Sequence, residues 1–133
     1  MGKAAEYKAR NEAFLAEKRG QEGVHELPGG VLYRVLETGE GTVSPNLNSV
    51  VTVHYRGVLV GGKEFDNSWK RTCPEAFRLK DVIEGWQIAL QQMHVGDKWI
   101  VYIPQEKGYG RRACGPIPGA STLIFEIKLL SIV

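Results

Sequence analysis

The sequence predicts an α+β domain: a twisted antiparallel sheet of five or six strands wrapped on one short helix, preceded by an N-terminal helix. Three observations carry that expectation. Residues 31–36, 50–60, 98–104 and 121–133 alternate side chains with the period of a strand. Residues 82–93 instead repeat their apolar residues at helical spacing. A single amphipathic helix can cover one face of a twisted sheet, which makes a two-layer architecture.

Taken in order, residues 3–19 are rich in Ala, Glu, Lys and Arg, all good helix formers. Tyr7, Phe14 and Leu15 give this helix only a thin apolar stripe, so it should fray or lean on something. Gly20 and Gly23 end it, and Leu27-Pro28-Gly29-Gly30 is a turn that opens the globular part. Residues 1–27 are therefore read as an extension and 28–133 as the main domain. Val31, Tyr33 and Val35 alternate with Leu32, Arg34 and Leu36. In the long β-branched run 50–60, Val51, Val53 and Tyr55 share one face, with Thr52, His54 and Arg56 on the other. Gly61-Gly62 turns the chain into a return strand at 63–66; 67–74 is a polar loop, and 75–79 resumes a strand. Val82, Trp86, Ala89, Leu90 and Met93 form the buried stripe of the internal helix, which stops at Gly96-Asp97. Trp99, Val101 and Ile103 face one way in the next strand, and Leu123, Phe125, Ile127 and Leu129 in the last. Between them, residues 105–120 hold four glycines and two prolines, a loop long enough to expect a function.

Composition narrows the function classes. A chain of 133 residues is one domain with a real core. The formal charge is only +2 and the basic residues are scattered, so no nucleic-acid partner is expected. No apolar run is long enough to span a bilayer. Residues 1–10 are polar and lack the apolar core of a secretory signal. The expected compartment is cytoplasmic if the chain is complete, and periplasmic or envelope-associated if a signal has been removed. Cys73 and Cys114 form no CxxC pair, and His25, His54 and His94 show no metal-ligand spacing; neither metal nor cofactor is expected. Both cysteines fall on loops, and two free thiols are expected over a bridge.

The residues that invite a functional reading are Tyr55, Phe65, Phe77, Val82, Ile83, Trp86, Tyr109, Ile117 and Phe125, which recur beside turns at strand ends, with Asp66 and Arg71 among them. Singly, each has a plain reading. Trp86 on a helix stripe and Phe125 in an alternating strand are usually core, Asp66 could cap a loop, and Arg71 is most often solvated. Their joint pattern resembles the FK506-binding-protein family of peptidyl-prolyl cis-trans isomerases. The resemblance rests on Val53-His54-Tyr55-Arg56-Gly57, Gly62-Lys63-Glu64-Phe65-Asp66-Asn67-Ser68, Phe77-Arg78-Leu79 with Val82-Ile83-Glu84-Gly85-Trp86, Gly108-Tyr109-Gly110, and Ile117-Pro118 with Thr122-Leu123-Ile124-Phe125-Glu126. It covers residues 28–133. The stretch 4–41, with Asn11-Glu12-Ala13-Phe14-Leu15, is similar to the linker helix of the bacterial macrophage-infectivity-potentiator branch, in which a helical dimerisation region precedes the linker.

That resemblance implies rotation about Xaa-Pro bonds in proline-containing peptides and unfolded proteins. Trp86 would form the pocket floor, Tyr55, Phe65, Val82, Ile83 and Phe125 its walls, Phe77 its rim and Ile117 its far side. The Ile83 backbone N–H and the Tyr109 hydroxyl would donate to substrate carbonyls. Asp66, held by Tyr55 and Arg71, would orient polar groups at the reacting bond. Macrolides such as FK506 or rapamycin would be inhibitors. The alternative is a binding module for a proline motif or a macrolide, with little turnover. The assembly expected is a monomer, or a weak dimer through the N-terminal helix. Several residues depart from the family pattern, including Glu84, Pro116, Gly119 and Trp69; Arg111-Arg112 adds charge to the long loop, in the direction of acidic clients.

Overall fold

The longest β-branched run of the sequence becomes the middle of the sheet. In the computed structural model, which describes residues 2–133, the elements run α1 (Lys3–Arg19), β1 (Val24–Glu26), β2 (Leu32–Glu37), β3 (Val50–Leu59), β4 (Glu64–Asn67), β5 (Glu75–Arg78), α2 (Glu84–Leu90), β6 (Lys98–Ile103) and β7 (Leu123–Ile132). One sheet has the order β1-β2-β6-β7-β3-β4, with β5 also paired to β3 and every pairing antiparallel. It has seven strands where five or six were expected. The addition is β1, whose three residues are too few to display an alternating pattern.

β3 pairs with β7 along its whole length, from Val51 opposite Ile132 to Leu59 opposite Leu123. On its other edge it changes partner: β5 takes Val50–Val53 and β4 takes Arg56–Val58. Between them Ser68, fully buried, fills the gap at Tyr55. Its Oγ accepts from the Tyr55 N–H at 2.7 Å, and its N–H donates to the Tyr55 carbonyl at 2.9 Å. A buried backbone group must find a partner somewhere, and here a serine side chain supplies what a strand would have.

The alternating faces assigned to β3, β6 and β7 hold: Val51, Val53, Val101, Ile127 and Leu129 are fully buried in one core with Trp86, Leu90 and Met93. The internal helix is shorter than expected. Leu79–Asp81 forms a 3-10 turn, Val82 is extended, and Ile83 caps α2, so the helix itself starts at Glu84 and ends at Leu90. Val82 and Ile83 are thus freed from the helix and stand at its mouth. Periodicity could not separate them, because a residue just before a helix continues its apolar spacing.

The N-terminal helix does lean on the sheet. Leu15 packs with Leu32 and Tyr102 in a second, smaller cluster on the opposite face from α2, with Phe14 against it. Burying one leucine there stabilises by about 1.5–3 kcal/mol. The decisive residue is polar: Asn11 is 2% exposed, and its Oδ1 accepts the Thr122 N–H at 2.8 Å while its Nδ2 donates to the Tyr7 carbonyl. The Tyr7 hydroxyl meets Ser121 Oγ at 2.6 Å. Asn11→Ala leaves the buried Thr122 N–H without an acceptor and should cost about 1–3 kcal/mol. Urea denaturation, with an unchanged m-value, checks this.

Candidate functional site

β3, β4 and β7 carry aromatic side chains toward α2, and a bowl forms where they meet. The cavity measures about 520 Å³, within the range of small-ligand sites. Trp86, at the first turn of α2, is 4% exposed and stands near-perpendicular to three rings: Tyr55 at 5.1 Å, Phe125 at 5.3 Å and Phe77 at 5.6 Å between centroids. Phe65 in turn stands edge-on to Phe125 at 5.5 Å. Edge-to-face packing suits the ring quadrupoles and fixes ring orientation. The buried indole N–H of Trp86 has no hydrogen-bond partner among the described residues.

Backbone placement permits this crowding. Gly57 lies opposite both Phe125 and Asp66 in the sheet, and a Cβ there would sit 2.6 Å from the Phe65 ring and 2.8 Å from Phe125. Only glycine lets the two phenylalanines close the wall at this point.

The polar groups gather on one rim. Tyr55 donates a short hydrogen bond to Asp66 Oδ2, Arg71 Nη1 meets Asp66 Oδ1 at 2.6 Å, and Arg71 Nη2 donates to the Tyr55 hydroxyl at 3.3 Å. The Asn67 N–H adds a fourth bond, to Asp66 Oδ1, at 2.9 Å. Partial burial pushes the Asp66 carboxyl upward, but the Tyr55 and Arg71 hydrogen bonds outweigh it and hold the group below the ordinary carboxylate range. Burial, followed by the bond to Asp66, pushes the Tyr55 phenol up to about 12. At neutral pH the rim therefore holds a fixed carboxylate and a neutral phenol. Across the mouth, Tyr109 is 41% exposed on the long loop, its phenol raised by burial and by neighbouring Cys114 and Asp66. Ile83 accepts the Trp86 and Gln87 N–H groups at 3.0 and 3.2 Å, and its own N–H has no acceptor among the described residues.

Of the eleven residues singled out from the sequence, ten line this one cavity: Tyr55, Phe65, Asp66, Phe77, Val82 and Ile83, with Trp86, Tyr109, Ile117 and Phe125. Arg71 stands behind the rim, reaching it through Asp66 and Tyr55 and bonding Glu75 at 3.2 Å. Asp81, Cys114, Gly115 and Pro116 also line the cavity. Asp81 had no sequence signal; a lone acid before an apolar pair looks like any turn residue. Cys114 and Pro116 come in because the long loop folds back on itself, with Cys114 and Ile117 exchanging backbone bonds at 2.8 and 3.0 Å. Cys73 and Cys114 are both free and exposed.

Two family models match the chain: FKBP-type peptidyl-prolyl cis-trans isomerase over residues 41–130, and the domain amino terminal to it over residues 1–35. The chain is 44% identical over 124 residues to the peptidyl-prolyl cis-trans isomerase Mip of Coxiella burnetii, covering 92% of this chain and 54% of the relative. It is 40% identical over 131 residues to the outer membrane protein MIP of Legionella longbeachae, covering 98% and 56%. The chain thus spans little more than half the length of these relatives. Among solved structures, FkpA from Escherichia coli matches with a TM-score of 0.92 at 38% identity, over 97% of this chain and 60% of that one. A peptidyl-prolyl cis-trans isomerase from Pseudomonas syringae matches with a TM-score of 0.89 at 38% identity, over 99% and 97%.

Two outcomes follow from the geometry. Gly57→Ala should push Phe65 and Phe125 apart and destabilise the protein by about 1–3 kcal/mol, read by thermal or urea denaturation. The rim should also show two titrations of opposite sense. Asp66 is depressed in the native state, so its stabilisation is complete above the ordinary carboxylate range and is lost as pH falls through its native value. Tyr55 is raised, so its stabilisation is complete below about pH 10 and is lost as pH climbs toward 12. The urea midpoint of wild type minus that of Asp66→Asn should be flat from about pH 5 to 9 and shrink in acid. In a 295 nm titration, Tyr55→Phe should delete a late-ionising phenol.

Proposed function

Because the chain belongs to the FKBP-type peptidyl-prolyl cis-trans isomerase family, we propose that it accelerates rotation about Xaa-Pro bonds in protein substrates and so assists their folding. The observation that carries this reading is the bowl itself: a buried tryptophan walled by perpendicular rings, with its polar groups confined to one rim. In the same reading residues 28–133 form the isomerase domain, and residues 1–27 are an extension that packs on it.

The barrier to rotation, about 18–20 kcal/mol, comes from amide resonance. The planar amide is strongly dipolar; twisting its C–N bond removes resonance and leaves a less polar carbonyl. An apolar, water-poor cavity disfavours the planar dipole more than the twisted state, which is catalysis by differential binding. A thousandfold acceleration needs only about 4 kcal/mol, so neither nucleophile nor metal is required. The proline ring rests on Trp86 between Tyr55, Phe65 and Phe125, with Val82 and Ile83 at the α2 end and Phe77 at the rim. The Ile83 N–H, without an internal acceptor, donates to a substrate carbonyl, and the exposed Tyr109 hydroxyl donates to another. Asp66, ionised across the neutral range, orients the polar groups of the twisting bond, and Arg71 and Tyr55 keep its carboxylate from swinging into the bowl. Ile117 closes the far side.

Proline-containing segments of unfolded chains are the substrates in this reading, and macrolides of the FK506 and rapamycin type fill the same bowl as inhibitors. α1 spends its apolar face on its own sheet, which supports a monomer. No described helix is long and apolar enough to cross a membrane. The Legionella longbeachae relative is an outer membrane protein, which favours an envelope location.

Exchange of a Xaa-Pro peptide, followed with and without FK506, tests the assignment. Wild type should accelerate it, and FK506 should abolish the effect. Phe65→Ala and Asp66→Val should each lower kcat/KM by about tenfold or more, equivalent to about 1.4 kcal/mol of transition-state stabilisation, with an unchanged far-ultraviolet dichroism spectrum. Full activity in both variants would place the chemistry elsewhere. Absence of acceleration at micromolar protein would leave a binding module.

A further inference from the structure

On the far side of the long loop from the bowl lies a second cavity of about 610 Å³, between that loop and the start of α1. We infer that this groove takes an acidic stretch of the client chain, so that the loop divides a two-part substrate surface. The inference rests on the bowl being the proline site.

The charged residues lining the groove are Lys3, Lys8 and Arg111; no carboxylate lines it. None of the three makes an ion pair among the described residues. Of the other fourteen lysines and arginines, seven have a carboxylate within 4.0 Å; what sets Lys3, Lys8 and Arg111 apart is that they line one hollow together. Three cations converging on a hollow without a counter-charge create a local positive potential, and a concave shape focuses it. Between them the wall is made of alanine, proline and glycine together with Tyr7, whose hydroxyl is already engaged by Ser121, so the three cations are the groups left to bind a charged partner.

The groove is held open by bonds outside the bowl. Ser121 Oγ, which meets the Tyr7 hydroxyl, donates to the Pro118 carbonyl at 2.7 Å and ties α1 to the base of the loop. The two strands of the loop press together at Gly119, where a Cβ would lie 2.1 Å from the Arg111 carbonyl oxygen. The Arg111 backbone is thereby held beside Gly119 and the residue lines the groove, while Tyr109, Cys114 and Ile117 of the same loop line the bowl. A peptide is the partner that fits, because only an extended chain can occupy both faces of one loop at once.

The test compares kcat/KM for Xaa-Pro peptides that share the residue before proline. One is neutral, and two carry a run of glutamates a few residues before or after the proline. At low salt, one acidic peptide should exceed the neutral one by about three- to tenfold, as expected for a few exposed charge pairs. The advantage should shrink at high salt and vanish in the K3Q/K8Q/R111Q variant, while turnover of the neutral peptide stays at the wild-type level in both. Amide shifts at Ala5 and Ala113 on adding a proline-free glutamate peptide would locate the contact. Equal rates for all three peptides, or an acidic advantage that survives the triple variant, would overturn the inference while leaving the isomerase reading intact. Loss of acceleration for the neutral peptide in wild type would instead sink that reading. Shifts of the same amides by an oligonucleotide or an anionic phospholipid vesicle, but not by the glutamate peptide, would also overturn the inference.

Discussion

Tyr55 sits where the central strand changes partners, and the site depends on how that break is mended. A β3 with one continuous neighbour would present a flat sheet to α2. Instead β5 lets go at Val53 and β4 begins at Arg56, with the chain between them looping outward. Ser68 satisfies the Tyr55 backbone in the interval, so the break costs little hydrogen bonding. The outward loop is what brings Arg71 back over Asp66 and Tyr55. The same buried serine thus repairs the sheet and sets up the polar rim.

Opposite electrostatic demands meet at that rim. An apolar bowl disfavours charge, yet Asp66 keeps its own because two donors and a backbone N–H compensate for lost water. A carboxylate so held cannot drift toward the aromatic wall. The pair of Phe65 and Asp66, adjacent in β4 and both lining the cavity, gives the wall and the rim a common backbone, so neither can move without the other.

The N-terminal helix shows how little apolar surface can dock an element when a buried amide does the fastening. Leu15 and Phe14 supply its apolar contact, but Asn11 ties it to Thr122, one residue before β7. Since β7 also carries Phe125, the extension is mechanically continuous with the wall of the bowl. The basic groove exists only because this docking places the first turns of α1 beside the long loop.

Most of the fold was legible in the residues because it is written in local periodicities: Val51, Val53 and Tyr55 at spacing two, Trp86, Ala89 and Leu90 at helical spacing. Ten residues of the bowl were legible for a different reason, since their motifs resemble a known family and no local rule would have joined Tyr55 to Trp86. β1 was too short to show a pattern, and Val82 continued the apolar spacing of a helix that begins only at Glu84. What lay beyond the sequence were the polar contacts that the resemblance does not imply: Asn11 with Thr122, Ser68 with Tyr55, and the gathering of Lys3, Lys8 and Arg111. Apolar burial leaves a repeating trace along the chain because whole faces are buried together. A single hydrogen bond or an unpaired cation leaves none, since its meaning is set by what the folded chain brings beside it.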